Sequence, residues 1–353
     1  MAEKGRSRQK AGGDSAPRLA VNPRSGSVWQ LPSAGLKAGS STAALEAQAS
    51  GAVGVNNGRI SRDKEDVLYH LGLSSGMDLE GMFGDVKFVC MGGSAARAES
   101  LAKTLLARLN VQVPTGYGLA PIGKVERYSL FKVGPVISVN HGMGMPSMSI
   151  LLHEVTKLLF HAKATDVTYI RIGTSGGLGL EGGTVVVAKA AVDSGTFKPI
   201  YKHRIMGKEH EYPSHLDERL AQAALECAKG DGSAEFPEIP CVIGNTLGTD
   251  DFYEGQGRCD GCICEYTEED KMAWLQQAYD AGVRNIEMES TLFACFCNRM
   301  KIPAMLINTV LLNRLNGDQV TASADELSGY SKNSQEVALR VITSRLATLQ
   351  AEE

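Results

Sequence analysis

Residues 167–179, VTYIRIGTSGGLG, constrain the fold more than any other stretch of the sequence. The first half is rich in β-branched and aromatic residues, which predicts a buried strand. The second half is a run of glycines and hydroxyl residues. Such a run predicts a turn that places backbone N–H groups and a threonine oxygen at the carboxyl end of a sheet, where anions are commonly held.

Arg171 lies within the strand half of this stretch. A cation in an apolar strand is costly unless it is paired, so we expect Arg171 to have an anionic partner. From the residues alone two partners remain open. Inorganic phosphate would make the stretch a binding site, whereas a carboxylate of this chain would make it a structural salt bridge.

Strands and helices alternate along the chain from residue 86 onward. The predicted strands cover 86–91, 135–140, 167–172, 184–191, 242–246, 283–288 and 304–311. The predicted helices cover 95–109, 146–159, 216–229, 268–281 and 327–349. The polar residues 197–216 are predicted to form a long segment on the protein surface. This order predicts an α/β fold, a single domain whose mixed or parallel central sheet is flanked by helices.

Residues 1–60 differ in composition from the rest of the chain. They are rich in Gly, Ala and Ser, carry scattered Lys and Arg, and lack apolar periodicity. This composition predicts a disordered extension over 1–60, followed by the folded domain over 61–353.

Composition excludes several classes of partner. The 353 residues carry a net charge of -4, which favours neither nucleic acid nor an anionic membrane as a partner. No apolar run approaches the roughly 20 residues that span a bilayer. The basic N-terminus lacks the apolar core of a secretory signal. We therefore expect a cytoplasmic protein.

The eight cysteines are predicted to be free thiols, because the chain is long and shows no secretory signal. Three of them form the pattern Cys259-x-x-Cys262-x-Cys264. A zinc site there would need a fourth ligand, such as Cys295 or Cys297. A solvent-side turn is the favoured interpretation, and a redox role stays open.

Two further strand ends carry polar residues. Gly93 and Arg97 follow the strand at 86–91 and open a helix, a geometry that can hold an anion but also fits an ordinary βα turn. Met288 and Glu289 directly follow a second acid, Glu287, in the sequence IEMES. Two carboxylates around a methionine can bind vicinal hydroxyls, or can simply favour a helix N-terminus.

The loop 249–258 combines a ring, an amide and a cation, separated by glycines. Phe252 can stack on a planar heterocycle, Gln256 can pair with a donor and an acceptor edge, and Arg258 can hold a carbonyl oxygen. This combination predicts recognition of a flat polar ring.

The motifs RIGTSGG, FYEGQGR, IEMES and HGMG stand in an order and spacing that resemble the nucleoside phosphorylase-I family. Within that family the resemblance is to the animal-type members that act on uridine, and it covers residues 65–349. It implies the family's mixed-sheet α/β fold and reversible phosphorolysis of uridine to uracil and ribose 1-phosphate, in pyrimidine salvage and catabolism. Deoxyuridine and thymidine stay open as substrates. No cofactor and no metal is implied.

The resemblance also implies roles for individual residues. Phosphate would be bound by Gly93, Arg97, Arg127, Arg171 and Thr174; uracil by Phe252, Gln256 and Arg258; and ribose by His70, Met288 and Glu289. The catalytic residues would be Arg258, Gln256, Arg314 and Thr174: Arg314 would assist at uracil O4, Arg258 and Gln256 would stabilise charge on O4 and O2, and Thr174 would lie between ribose and phosphate. Arg127 and His70 would come from the partner subunit, which implies a homodimer.

One departure and three rivals follow from the same motifs. Bacterial members have a glutamate after the interface arginine that helps bind potassium, but this chain has Tyr128, so no such metal site is expected. The rivals are a purine nucleoside phosphorylase, a nucleosidase of the same family, and a non-catalytic nucleoside-binding relative. Gln256 and Arg258 favour a pyrimidine. The three arginines 97, 127 and 171 favour phosphate over water.

Overall fold

The computed structural model describes residues 51–60, 64–112, 118–123 and 127–352. The strands are β1 Val67–Leu68, β2 Leu73–Ser74, β3 Phe88–Gly92, β4 Leu130–Val133, β5 Val136–Asn140, β6 Thr168–Gly177, β7 Val185–Asp193, β8 Ile200–Ile205, β9 Lys208–Pro213, β10 Cys241–Gly248, β11 Val283–Glu287 and β12 Ala304–Asn313. The helices are α1 Leu79–Phe83, α2 Ala95–Arg108, α3 Met145–His161, α4 Glu218–Ala228, α5 Glu268–Asp280, α6 Ser290–Met300 and α7 Ala324–Glu352.

One mixed sheet organises the described residues. Its strand order is β11-β10-β7-β12-β6-β3-β5-β4, and β11 also pairs with the end of β6. The strands β5, β3, β6 and β12 run parallel, whereas β4 and β7 lie antiparallel to β5 and β12. Because β11 returns to β6, the five strands from β6 to β11 close into a barrel-like ring. The predicted α/β fold with a mixed central sheet flanked by helices is confirmed.

The glycine run of the opening stretch does not end the strand as predicted. β6 continues to Gly177 and changes partner from β12 to β11 on the way. A Cβ on Gly173 would stand 2.4 Å from Asn308 Oδ1, and one on Gly176 would stand 2.7 Å from Arg314 Cγ. The glycines are therefore required by large polar side chains that cross the strand closely, and they need not form a turn.

The helices cover both faces of the sheet. On one face α1, α3 and α6 supply core residues such as Phe83, Leu151 and Phe293. On the other face α2, α4 and α7 supply Leu105, Ala224 and Ile342. Each of these side chains is almost completely buried. The result is an α/β/α arrangement whose rigid sheet positions the loops at the strand ends.

Residues 197–216 contain a hairpin, where the sequence predicted only a surface excursion. β8 and β9 pair antiparallel from Ile200–Pro213 to Ile205–Lys208. Met206 and Gly207 connect them with φ of 49° and 80°, the positive values that a tight two-residue hairpin turn uses. The charged residues on both strands hide the pattern, because neither face of this ribbon is fully buried.

The predicted N-terminal extension lies mostly outside the described residues, which begin at 51. Within its last ten residues, Val53 is 7% exposed and belongs to the core beside α3. Its N–H donates to the Ala164 carbonyl at 2.9 Å. The contact between this segment and the fold thus starts at least as early as Ala52, which bridges Thr165.

The described helices include none that combines the length and apolar character needed to cross a bilayer.

Candidate functional site

The site lies where two sets of strands approach from opposite directions. The ends of β3 and β5 and the middle of β6 point the same way, whereas β11 runs antiparallel to β6. β11 pairs with the end of β6, at Gly176 and Gly177, so the residues that follow β11 lie beside the middle of β6. This crossing brings together side chains that are more than one hundred residues apart in the chain.

Arg171 stands at the centre of this crossing and is 3% exposed. Its Nη1 donates to Asn308 Oδ1 at 2.8 Å, and its Nη2 lies 2.6 Å from Glu287 Oε2. The same Nη2 donates to Glu289 Oε2. The sequence left two partners possible for Arg171, phosphate or a carboxylate of this chain. The structure shows two carboxylates, Glu287 and Glu289.

Glu287 and Glu289 differ in what else they bind. Glu287 accepts the N–H groups of Glu289 and Ser290 at 2.9 and 2.6 Å, so it also caps α6. Glu289 Oε1 accepts the Gly144 N–H at 2.6 Å. Burial raises the pKa of Glu287 to about 7 despite Arg171. Burial also opposes ionisation of Glu289, but Arg171 outweighs it and lowers that pKa to about 2.

Arg97 supplies a second cation next to Arg171. It follows the N-cap of α2, Ser94, whose Oγ accepts from its Nε at 3.3 Å, and its guanidinium folds back over Gly93. Burial and the neighbouring Arg171 lower the pKa of Arg97, while Glu289 raises it. The structure therefore brings Gly93, Arg97 and Arg171 together, as the sequence predicted. Thr174 is half-buried three residues further along β6.

The ring-binding candidates lie on the loop after β10. The Arg258 guanidinium stands 4.5 Å from the centre of the Phe252 ring and pairs in bidentate fashion with Asp260, at 2.8 and 2.5 Å. Phe252 is 46% exposed, so one face of the ring remains accessible. Gln256 is buried, and its side-chain amide makes no hydrogen bond within the described residues. The three residues predicted to form one recognition surface are neighbours.

Arg314 connects this loop to β6. It is completely buried, packs against Gly176, and donates from Nη2 to the Gln256 carbonyl at 2.8 Å. Its Nε donates to Asp318 Oδ1 at 2.9 Å. Because Gly176 lies two residues beyond Thr174, the arginine cluster and the ring-binding loop border one another along β6.

Sequence reasoning missed the residue that holds the two arginines in place. Asp318 accepts from Arg314, from Lys271 Nζ at 3.0 Å and from the Cys259 N–H at 3.0 Å. Its carbonyl also accepts from Arg258 Nη2 at 2.9 Å. The signal was present in the sequence NRLNGDQ, but no spacing rule pairs Asp318 with a lysine 47 positions earlier.

The cysteines of the CxxCxC pattern border this loop. Cys262 and Cys264 are exposed, and all eight cysteines are free thiols. The described residues contain no group of three metal-ligating side chains.

Within the described residues of one chain, no hydrogen bond or ion pair joins His70 or Arg127 to Arg97, Arg171 or Glu289. His70 Nδ1 is 2.6 Å from Glu154 Oε1, and no hydrogen bond within the described residues joins it to Glu289. Arg127 is exposed and precedes Tyr128, whose hydroxyl donates to the Ser147 carbonyl. Their predicted role across a subunit interface stays a prediction. Met288 is half-buried beside Glu289.

His141 is a site residue that was assigned no role from the sequence, although it opens the motif HGMG. It follows β5, is 1% exposed, and its charge environment is set by Arg171, Glu289 and Arg97. Burial and the arginines lower the pKa of His141 to about 3.

Comparison with known proteins agrees with this geometry. The phosphorylase superfamily matches residues 87–344. Uridine phosphorylase 1 of Mus musculus is 45% identical over 293 residues, 83% of this chain and 92% of the mouse protein. The inactive uridine phosphorylase B of Schistosoma mansoni is 38% identical over 279 residues, 78% of this chain and 91% of that protein.

Comparison of the fold with a solved structure also points to this family. The uridine phosphorylase of Schistosoma mansoni in complex with thymidine matches with a TM-score of 0.77 at 35% identity, covering 83% of this chain and 99% of that one. The chain therefore belongs to the phosphorylase superfamily, among its animal-type uridine phosphorylases.

Proposed function

We propose that the chain catalyses the reversible phosphorolysis of uridine to uracil and ribose 1-phosphate. One observation carries the proposal: β6 holds Arg171 beside Arg97 and contacts, at Gly176, the Arg314 that anchors the Gln256 loop. A cationic cluster and a ring-binding loop therefore share one strand. Two substrates bound at these places would meet near Thr174, which is the arrangement that a bimolecular transfer needs.

Phosphate is assigned to the arginine end of the site. A dianion with several oxygens needs several donors, and guanidinium groups suit it well. Arg97 has no carboxylate within salt-bridge distance in the described residues, whereas Arg171 has two. Gly93 and Thr174 would add a backbone N–H and a hydroxyl. Phosphate would attack the anomeric carbon of ribose from this side.

Ribose and uracil are assigned to the other end. Glu289 would accept hydrogen bonds from the ribose hydroxyls, and the Met288 side chain would pack against the apolar face of the sugar. Negative charge that develops on the uracil oxygens would be stabilised by Gln256 and by Arg258, whose Nη1 makes no hydrogen bond within the described residues. Preformed donors of this kind stabilise the transition state without reorganisation. The proposed reaction needs no cofactor or metal.

A homodimer is part of the proposal, because the described residues of one chain bring two arginines, Arg97 and Arg171, to the phosphate end. Arg127 is exposed, and the segment around His70 presents Val67 and Tyr69 at 60% and 71% exposure. Apolar side chains this exposed, beside groups expected to act in a neighbouring site, suit an interface between two copies. The partner's Arg127 would complete the phosphate site, and the partner's His70 would approach the ribose 5′-hydroxyl.

Substrate scope and location extend the proposal. The thymidine bound by the Schistosoma enzyme supports deoxynucleosides as candidates beside uridine. The free state of all eight thiols supports a reducing compartment, and we place the enzyme in the cytoplasm. The inactive relative requires that turnover be tested, although Arg97, Arg171, Gln256, Arg258 and Glu289 are all present here.

Replacing Gln256 by Ala tests the assignment of the base. We expect kcat/KM for uridine to fall about 100-fold, because a buried hydrogen-bonding partner of the base is lost. The KM for phosphate should change less than about threefold. Gln277→Ala, at an exposed position of α5, is the matched control. A Gln256→Ala enzyme that retains wild-type kcat/KM would refute the assignment.

A further inference from the structure

His141 occupies a fixed, buried position beside the cationic cluster. Its N–H donates to the Gly92 carbonyl at 2.8 Å, next to Gly93, and its carbonyl accepts from Ser147 Oγ at 2.6 Å. Three residues further on, the Gly144 N–H holds Glu289. The loop from His141 to Gly144 is thus tied at both ends to the proposed phosphate and ribose groups.

Within the part of the chain that the structure describes, the His141 side chain has no hydrogen-bond partner. Both ring nitrogens are buried, and neither makes a hydrogen bond within the described residues. Buried polar atoms are nearly always hydrogen-bonded, so an imidazole with two unpartnered nitrogens calls for an explanation. The other groups beside it are occupied: Glu289 already accepts from Gly144 through one oxygen and from Arg171 through the other.

The surroundings fix the charge of this histidine. Burial lowers its pKa most, followed by Arg171, and Arg97 adds to the effect, whereas Glu289 opposes it. With a pKa of about 3 the ring is neutral at any working pH. A neutral imidazole presents one N–H donor and one acceptor nitrogen. It is therefore unsuited to supply charge to an anion, but it can donate a hydrogen bond.

We propose that His141 binds phosphate, donating its ring N–H to an oxygen of the anion held between Arg97 and Arg171. The inference rests on the proposed function and adds a residue to its phosphate site. The two arginines supply charge, and the imidazole adds a directed donor that fixes how the anion is oriented. An imidazole N–H that finds no partner within the described residues is free to bond a substrate oxygen.

The test compares the variants His141→Ala, His141→Asn and His141→Gln with the wild type. The control is His210→Asn, which alters an exposed histidine on β9. For each variant the KM for phosphate, the KM for uridine and the thermal midpoint are measured. We expect His141→Ala to raise the KM for phosphate about 10- to 100-fold, as for a lost hydrogen bond to a charged group. The KM for uridine should change less than about threefold.

The amide variants separate a binding role from a structural one. Asn places an N–H donor near Nδ1 and Gln places one near Nε2, so one of them should recover most of the affinity for phosphate. A His141→Ala enzyme with unchanged phosphate KM, or with equal losses for both substrates, overturns the inference. A wild type that cleaves uridine equally well without phosphate overturns the proposed function instead, so the two failures are distinguishable.

Discussion

At the scale of single residues, Glu287 and Glu289 both contact the Arg171 guanidinium, yet their pKa values shift in opposite directions from the ordinary value. The pKa of Glu289 falls to about 2, so its charge is present throughout the neutral range. The pKa of Glu287 rises to about 7, because its oxygens are buried beside a second acid. Below neutral pH Glu287 therefore keeps its proton. The charge of Arg171 is then neutralised by Glu289 and not by Glu287.

This difference predicts how stability depends on pH. In the unfolded chain Glu287 titrates near its ordinary value of 4.5, while in the fold it keeps its proton to about pH 7. Between these values the folded state binds more protons, so stability falls as pH rises. Glu287→Gln removes this dependence. From pH 5 to pH 8 we expect the wild type to lose about 2–3 kcal/mol more than the variant.

Urea unfolding at the two pH values measures this difference. Groups other than Glu287 titrate in both proteins and cancel in the comparison. Equal losses in the wild type and the variant would show that Glu287 ionises normally in the fold.

At the scale of elements, the predictable parts were those with local signals. Ser94 caps α2, and Thr267 with Asp270 forms a capping box at α5, so both helices begin where the sequence predicted. The proximity of Gly93, Arg97 and Arg171 was also predictable, because neighbouring parallel strands deliver them. The hairpin β8–β9 was not, since its strands are polar and partly exposed.

Long-range pairings were beyond the reach of sequence patterns. Glu289 pairs with Arg171 across 118 positions, and this contact depends on β11 returning to the end of β6. No periodicity in either segment encodes that closure. For the same reason the sequence did not predict that the glycine run continues the strand. Glycine is required at positions 173 and 176 because side chains from β12 and from the segment after it lie too close for a Cβ.

Asp318 predicts a coupling between two loops. It is 8% exposed, and it accepts from both Arg314 and the buried Lys271. Asp318→Asn removes the carboxylate paired with Arg314 and one of the two carboxylates, Asp318 and Glu268, paired with Lys271, which should lower the free energy of unfolding by about 3 kcal/mol. Arg314, which donates to the Gln256 carbonyl, would also lose the carboxylate that positions it, so we expect the KM for uridine to rise about tenfold.

Thermal unfolding and steady-state kinetics check both effects. Asp325→Asn, at the exposed start of α7, is the control for loss of an aspartate charge. If Asp318→Asn changed stability alone and left the KM for uridine untouched, Asp318 would not position the base site.

At the scale of the whole molecule, the folded unit begins before the predicted boundary at residue 60. Val53 packs in the core, so a deletion of residues 1–50 and a deletion of residues 1–60 should differ. The shorter deletion should leave activity and the thermal midpoint close to wild type. The longer one removes a buried valine and its backbone hydrogen bond, which should cost about 2 kcal/mol of stability.

Thermal melts and uridine turnover of the two truncations make the comparison. A loss of activity in the shorter deletion would mean that residues 1–50 belong to the functional enzyme. Identical melts for both deletions would mean that the contact of Val53 with the core does not stabilise the fold.

The central claim concerns the whole assembly: two substrates meet on β6, and phosphate cleaves the nucleoside. The most direct measurement is release of uracil from uridine by the wild type, with and without inorganic phosphate, followed by the change in absorbance on cleavage. The account predicts release that depends on phosphate and yields ribose 1-phosphate. Equal release without phosphate, yielding free ribose, or no release in either condition from the folded protein, would contradict it.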